Sequence, residues 1–450
     1  MSLASAQLAP LASGPATANS RPSAYAWARK GVLALTDQGL IAASNFLVAL
    51  LLARRVSAPE YGAFALAFEI YLLLIVFYTS FVLEPMSVFG SSTYRDRRRE
   101  YLGTLLRLTF GIALLTVVLL AAASYLAHAV WGNHDLAKAL LGVAFAGPVI
   151  LLFWMARRAF YLEFAPASSV AGAALYSVVL MIALLVCYRQ HWLSSFTVFA
   201  LMGTAAAVAG PVLLQRLRPV LGRTPHSPRI GEVLVKHWEY GRWALGSSAA
   251  AWIIGAALYF ALTTFHGLSR TGDLKALLNL ASPVSQGFTA ISLLALPYAS
   301  RLMHGDNVLA VRRVAQKLTA LYMTGTAAYF LVLLFARRWL LGGLYAGKYS
   351  AVAELVPVIA LGLILRIGAT AQAIPLRATH SPSRVCLAYA IAAAATVLIG
   401  VPLIRLFGLP GAAWTSVVSG GTALLATGWL LRRTLAQTEL KAPQWYSLRP

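Results

Sequence analysis

Charge and cysteine are both scarce in this chain. Only 11% of its 450 residues are charged, against roughly 25% in a soluble globular domain. With 59% hydrophobic residues and a mean hydropathy of +0.72, water cannot be its main solvent. The two cysteines, Cys187 and Cys386, fall near helix ends in unrelated segments, which leaves neither a disulfide framework nor a thiolate metal site. Short segments of alternating polarity, which a membrane β-barrel needs, are missing. So are a glycine-rich phosphate loop, a His-Glu-x-x-His pair and a nucleophile elbow. His128, His134, His191, His237 and His266 lie near helix ends without ligand spacing. The chain is therefore not expected to be an enzyme, and no metal or cofactor is expected. Nucleic acid is excluded as a partner despite the net charge of +23, because no stretch outside the apolar runs is long enough to fold as a basic module.

Long apolar runs are abundant. A hydrocarbon core about 30 Å thick needs roughly 20 apolar residues per helix. Such runs recur at 32–53, 63–89, 103–130, 139–156, 165–187, 193–214, 243–264, 275–299, 318–336, 351–375, 386–406 and 411–431. Backbone hydrogen bonds in a bilayer must be satisfied within each segment. The expected fold class is all-α: a polytopic integral membrane protein of about twelve transmembrane helices.

The opening residues, 1–30, begin with an Ala-, Ser- and Pro-rich run. They have no basic start ahead of an apolar core, and so read as a disordered cytoplasmic tail rather than a cleavable signal. The longest connection, 215–242, carries Pro219, Pro225 and Pro228. It divides six helices in 31–214 from six in 243–431, with a tail at 432–450.

Basic residues flanking membrane helices set orientation. Arg29 and Lys30, Arg95 to Arg99, Arg216 to Arg242, Arg301 to Lys317, Arg377 and Arg384, and Arg432 and Arg433 fall on one side of a twelve-helix plan. The other side holds fewer, among them Arg54, Arg55, Lys275 and Lys348. Both termini are thus expected in the cytoplasm. Transporters are often internal duplications, and an offset of about 212 residues places Ser57 on Ser269 and Pro85 on Pro297.

An ionisable group at mid-bilayer costs about 2.5 to 3.5 kcal/mol on insertion scales, so it faces a cavity or a partner. Arg366 is the sharpest case, set between Ala-Leu-Gly-Leu-Ile-Leu and Ile-Gly-Ala in the tenth run. Asp37 and Asn45 share one face of the first helix, since eight residues is close to a multiple of the helical period. Glu69 lies in the second run, and Arg157 follows the apolar part of the fourth. Gln372, Asn279 and Gln286 supply polar groups suited to sugar hydroxyls or to helix–helix hydrogen bonds.

Residues 45–68 contain Ala53-Arg54, a short gap, then Pro59-Glu60-Tyr61-Gly62. Further on come Leu344-Tyr345-Ala346-Gly347-Lys348-Tyr349-Ser350 and Phe407-Gly408-Leu409-Pro410-Gly411-Ala412-Ala413. These stretches resemble the Wzx-type polysaccharide and O-antigen flippases of the multidrug and oligosaccharidyl-lipid exporter superfamily. Residues 270–273, Arg-Thr-Gly-Asp, depart from that family's Gly-Tyr entry to helix 8.

The resemblance implies a MATE-like bundle of two six-helix lobes in the bacterial inner membrane. Its cationic central cavity would open alternately to the two sides. The implied cargo is a polyprenyl-pyrophosphate-linked oligosaccharide for exopolysaccharide, capsule or O-antigen synthesis, with membrane lipid and the polymerase or export machinery as partners. Arginine suits the pyrophosphate because its planar fork pairs phosphate oxygens and stays charged. The expected ligands are Arg366 with Arg54 or Arg157, together with Asn45, Asn279, Gln286 and Gln372. Asp37 and Glu69 would either pair these arginines or carry a coupling H+ or Na+. Two rivals remain: a multidrug or cation antiporter of the same superfamily, and a membrane glycosyltransferase or polymerase, which the short outer connections disfavour.

Overall fold

The computed structural model describes residues 24–90, 93–162, 165–222, 224–285, 287–288, 291–292, 295, 308–378 and 382–441. Among them there are helices and no strands. Ten helices are long and apolar enough to cross a membrane. Two of the ten are each a pair of helices joined at one glycine of positive φ, Gly267 (φ 81°) and Gly408 (φ 60°). A residue with no Cβ turns the chain there without an intervening loop. The result is twelve passes of a multi-pass membrane protein.

The first six passes are α1 (Ala24–Arg55), α2 (Ala58–Phe89), α3 (Arg98–Ala129), α4 (His134–Leu162), α5 (Pro166–Arg189) and α6 (Ser195–Leu217). The second six are α7 (230–266), α8 (from 268), α9 (Val308–Leu344), α10 (Val356–Ala378), α11 (382–407) and α12 (409–441). An even number of passes puts both described chain ends on one face of the bundle, here the terminal face.

Helix starts follow local chemistry. Ser57 and Ser194 cap α2 and α6 by accepting the backbone N–H of Glu60 and Thr197. A proline opens α2 and α5, where a missing N–H costs nothing. Exposed Trp131, Trp192 and Trp339 lie toward one end of the bundle and Trp238 and Trp429 toward the other, as interfacial belts require.

The connection between the halves is shorter than 215–242, because α6 runs to Leu217 and α7 begins at Ile230, well ahead of its membrane span. This extra length is docked rather than free. Residues Thr79–Leu83 of α2 form a π-turn, and Pro85 has no N–H to offer the carbonyl of Phe81 one turn back. His237 of α7 fills that vacancy, its Nδ1–H donating to Phe81 O at 2.8 Å while its Nε2 accepts from the Tyr101 hydroxyl at 2.7 Å. A carbonyl only accepts, so this pairing fixes the neutral tautomer. Gly241 follows one turn later, where a Cβ would stand 2.6 Å from Ser80 O. Glu232, Lys236 and Tyr94 close the contact at its rim.

Across the molecule, α2 meets α7 and α8 along the seam between the halves. At the face opposite the termini the approach is reciprocal. A Cβ on Gly62 would fall onto Leu268 O, and one on Gly272 would stand 2.6 Å from Ala58 O. Residues 58 and 62 thus correspond to 268 and 272, an offset of 210 where the sequence echo suggested about 212.

Candidate functional site

Beneath that glycine crossing lies a cavity of 280 Å³ shared by both halves. Asn45, Phe64 and Phe68 line it from α1 and α2, and Tyr259, Lys275 and Asn279 from α7 and α8. The site is at mid-depth because each contributing helix has already run two or more turns from the far face. Asn45 and Asn279, expected on the sugar side of a site, are brought together here. The Asn45 side-chain oxygen is buried without a hydrogen-bond partner among the described residues, while Asn279 donates a long 3.4 Å bond to the Tyr345 hydroxyl.

Lys275 supplies the cavity's charge. Its ammonium stands 4.4 Å from the Phe68 ring centre and 5.7 Å from that of Tyr259, and no carboxylate lies within 4.0 Å of it among the described residues. By sequence Lys275 falls on an outer flank, at the start of the eighth apolar run. Helix α8 in fact starts at 268, so Lys275 sits two turns inside. The repeat carried the missing signal: an offset of 212 sets Lys275 on Ala63, already within the second run.

Glu69 of α2 is buried at the same depth, and its backbone carbonyl accepts the indole N–H of Trp252 from α7 at 2.9 Å. Its carboxyl interacts electrostatically with Lys275 and with Arg366, and Arg366 also acts on Tyr259. The Arg366 side chain is exposed and reaches within 4 Å of the space over Gly255 on α7. It therefore faces the seam side of α10, where Glu69 and Tyr259 lie. Lys275, Glu69 and Arg366 form the charged centre of the molecule, two cations to one acid.

The remaining expected ligands lie elsewhere. Arg157 is buried inside the first half, 2.8 Å from Asp37 and flanked by the Phe153 and Trp154 rings. The same Asp37 oxygen accepts from Tyr161 at 2.8 Å and Ser169 at 3.1 Å. Asp37 thus pairs an arginine, and with three donors on one oxygen it is built as an ion pair. Arg54 sits at the far face and donates to Leu344 O at 2.5 Å and Gly343 O at 2.7 Å, the carbonyls ending α9. Lys348 returns the contact, donating to Val56 O at 2.8 Å just past α1. These cross-bonds, with Tyr61 against Tyr349 at 5.9 Å, lock the halves together above the cavity. Arg54 and Arg157 are therefore both engaged away from the cavity.

Gln372 accepts from Thr427 at 2.8 Å and lines a separate 720 Å³ cleft among α9, α10 and α12 with Arg312 and Arg432. Gln286 lies outside the described residues. The histidines without sequence spacing are not all apart in space, since His128 and His134 stand with their Nδ1 atoms 2.9 Å apart.

Solved structures of transporters superpose on this chain. A multidrug resistance MATE-family transporter of the MOP superfamily, in an inward-facing conformation, superposes with a TM-score of 0.75 at 11% identity, over 90% of this chain and 96% of that one. Lipid II flippase MurJ in an inward closed conformation gives 0.67 at 12% identity, over 92% and 90%. A MOP-superfamily transporter from Pyrococcus furiosus, described as having a binding pocket of reversed polarity, gives 0.66 at 12%, over 92% and 96%. No protein-family model and no curated protein matches the sequence. The fold is thus the MATE-like fold shared by MOP-superfamily transporters.

Proposed function

We propose that this chain is a flippase of the Wzx type. It would carry a polyprenyl-pyrophosphate-linked oligosaccharide from the cytoplasmic to the outer leaflet of the bacterial inner membrane, with both termini in the cytoplasm. One observation carries the reading: Lys275 and Arg366 bring two cations to mid-depth between the halves, against the single carboxyl of Glu69. A lipid pyrophosphate crossing unaided forfeits its hydration, and fixed cations with water access replace it. Asn45 and Asn279 offer amide groups to the first sugar.

Lys275 and Arg366 bind the pyrophosphate, and Glu69 holds the two cations in the empty site. Arg54 acts as a latch and Arg157 as structural support. The basic flanks support the orientation, and the lipid-linked cargo of MurJ, a protein of the same fold, supports the substrate class.

In cells lacking the gene, lipid-linked glycan is expected to accumulate in the cytoplasmic leaflet. Complementation at matched expression should fail with Arg366→Ala or Lys275→Ala and survive with Lys275→Arg. Full polymer export by both alanine variants would reject the assignment. The multidrug reading draws on the MATE-family likeness and on Glu69 as a cation ligand. Ion-gradient-driven uptake of small organic cations into proteoliposomes, abolished by Glu69→Gln, would establish it instead.

A further inference from the structure

Several arginines at the terminal face find acceptors. Arg97 reaches His226 O, Arg98 reaches Gly90 O, Arg107 reaches Leu221 O, Arg158 reaches Ser87, and Arg384 reaches Thr434 and Gln437. Arg99, Arg216 and Arg218 do not. They converge with Gln215 and Val212 on one 540 Å³ cleft, where no carboxylate is among the lining side chains. None of the three guanidiniums makes a hydrogen bond or ion pair among the described residues.

Helix electrostatics accounts for Arg216, in the last turn of α6, but opposes Arg99, in the first turn of α3. The cleft is held open by backbone contacts. Val220 N–H donates to Arg99 O at 3.0 Å, and Gly103 admits the Val220 carbonyl against α3. Toward the membrane, Phe110 and Leu114 continue the Arg99 and Arg107 stripe of α3, and Val208 and Val212 continue the Arg216 stripe of α6. All four apolar side chains are exposed.

We propose that this cleft binds an anionic phospholipid of the adjoining leaflet, its phosphate held by Arg99, Arg216 and Arg218 and an acyl chain laid against α3 and α6. Basic pockets between membrane helices take such headgroups, and each membrane-proximal arginine favours an anionic lipid by roughly fivefold. That the leaflet is the cytoplasmic one rests on the proposed orientation, whereas the site itself is independent of the transported cargo.

Native mass spectrometry of the full chain, offered equimolar phosphatidylglycerol and phosphatidylcholine, reads the outcome directly. The unmodified protein should retain phosphatidylglycerol preferentially, and raising the ionic strength should erode that preference. Arg99→Gln, Arg216→Gln and Arg218→Gln combined should cut it by about tenfold or more, while Arg432→Gln with Arg433→Gln should leave it unchanged. No preference in the unmodified protein overturns the proposal, as does equal loss in the two variants. Retention of inorganic phosphate in place of the lipid, with full displacement by it, would make this a soluble-anion site and also overturn it. Polymer export by the triple variant separates this site from the flippase reading, since lipid retention is scored whether or not export persists.

Discussion

Replacing Gly62 by alanine should open the face opposite the termini. The new methyl would fall onto Leu268 O, and the atoms it meets are backbone, so no side-chain rotation relieves the clash and the two helix ends must part. Overpacking of this kind costs about 1 to 3 kcal/mol. That cost falls only on the conformation in which α2 and α8 touch. The gain in helix propensity from glycine to alanine, about 1 kcal/mol, applies to both conformations and cancels. The closed-to-open ratio at this face should therefore fall by about 5- to 150-fold. Gly272→Ala should do the same, because the crossing is reciprocal, and the double variant should add little, since one separation clears both clashes. Spin labels at Ser57→Cys and Arg270→Cys, with Cys187 and Cys386 replaced, report the distance by pulsed electron resonance. Unchanged distance distributions in Gly62→Ala, or full additivity in the double variant, would refute the reasoning.

Arg54→Ala removes two hydrogen bonds to the end of α9 and should shift the same label pair outward by about 1 to 2 kcal/mol; an unshifted distribution would deny it the role of a latch. Asp37→Ala strands a buried guanidinium and should cost about 3 to 5 kcal/mol, seen as a lowered melting temperature, whereas Asp37→Leu with Arg157→Met should recover most of the loss. His237 lies outside the membrane span, and burial pushes its pKa from 6.5 down to about 4. The undocked ring takes a proton near pH 6.5 and the docked ring resists until about pH 4. Docking of residues 230–242 is thus at full strength above pH 6.5 and weakens as pH falls toward 4, by about 3 kcal/mol in all. Hydrogen exchange there, corrected for intrinsic rates, should quicken between pH 7.5 and 5, and His237→Phe should abolish the difference.

The twelve passes were legible because the bilayer writes its thickness into composition: each must supply about twenty apolar residues. Their ends were less so. Helix α1 begins at Ala24 and α12 continues to Lys441, since a helix persists into water wherever its polar residues still favour it. The one-residue turn at Gly408 leaves no polar gap to read. Arg366 stood out because apolar residues enclose it on both sides. Lys275 did not, since the polar residues before it made a helix interior look like a loop. The Asp37–Arg157 pairing has no local signature, as its members are far apart in the chain and meet only when α1, α4 and α5 pack.

The balance of charge at mid-depth is what the proposed anionic cargo rests on. Asp37 and Arg157 neutralise each other within the first half, leaving Lys275, Arg366 and Glu69 as the charges at that depth between the halves among the described residues. Three such groups are tolerated because each has an opposite partner in electrostatic reach. A carrier of cationic drugs would reverse the count, since an acid must outweigh the fixed cations to hold a positive guest. On the proposed flippase reading, an entering pyrophosphate would not find bare positive charge but would displace Glu69 as the partner of both cations. Such an exchange would keep the empty site stable and make release feasible, because the carboxyl competes for the same cations. A site with the acid removed would bind the lipid more tightly and let it go more slowly.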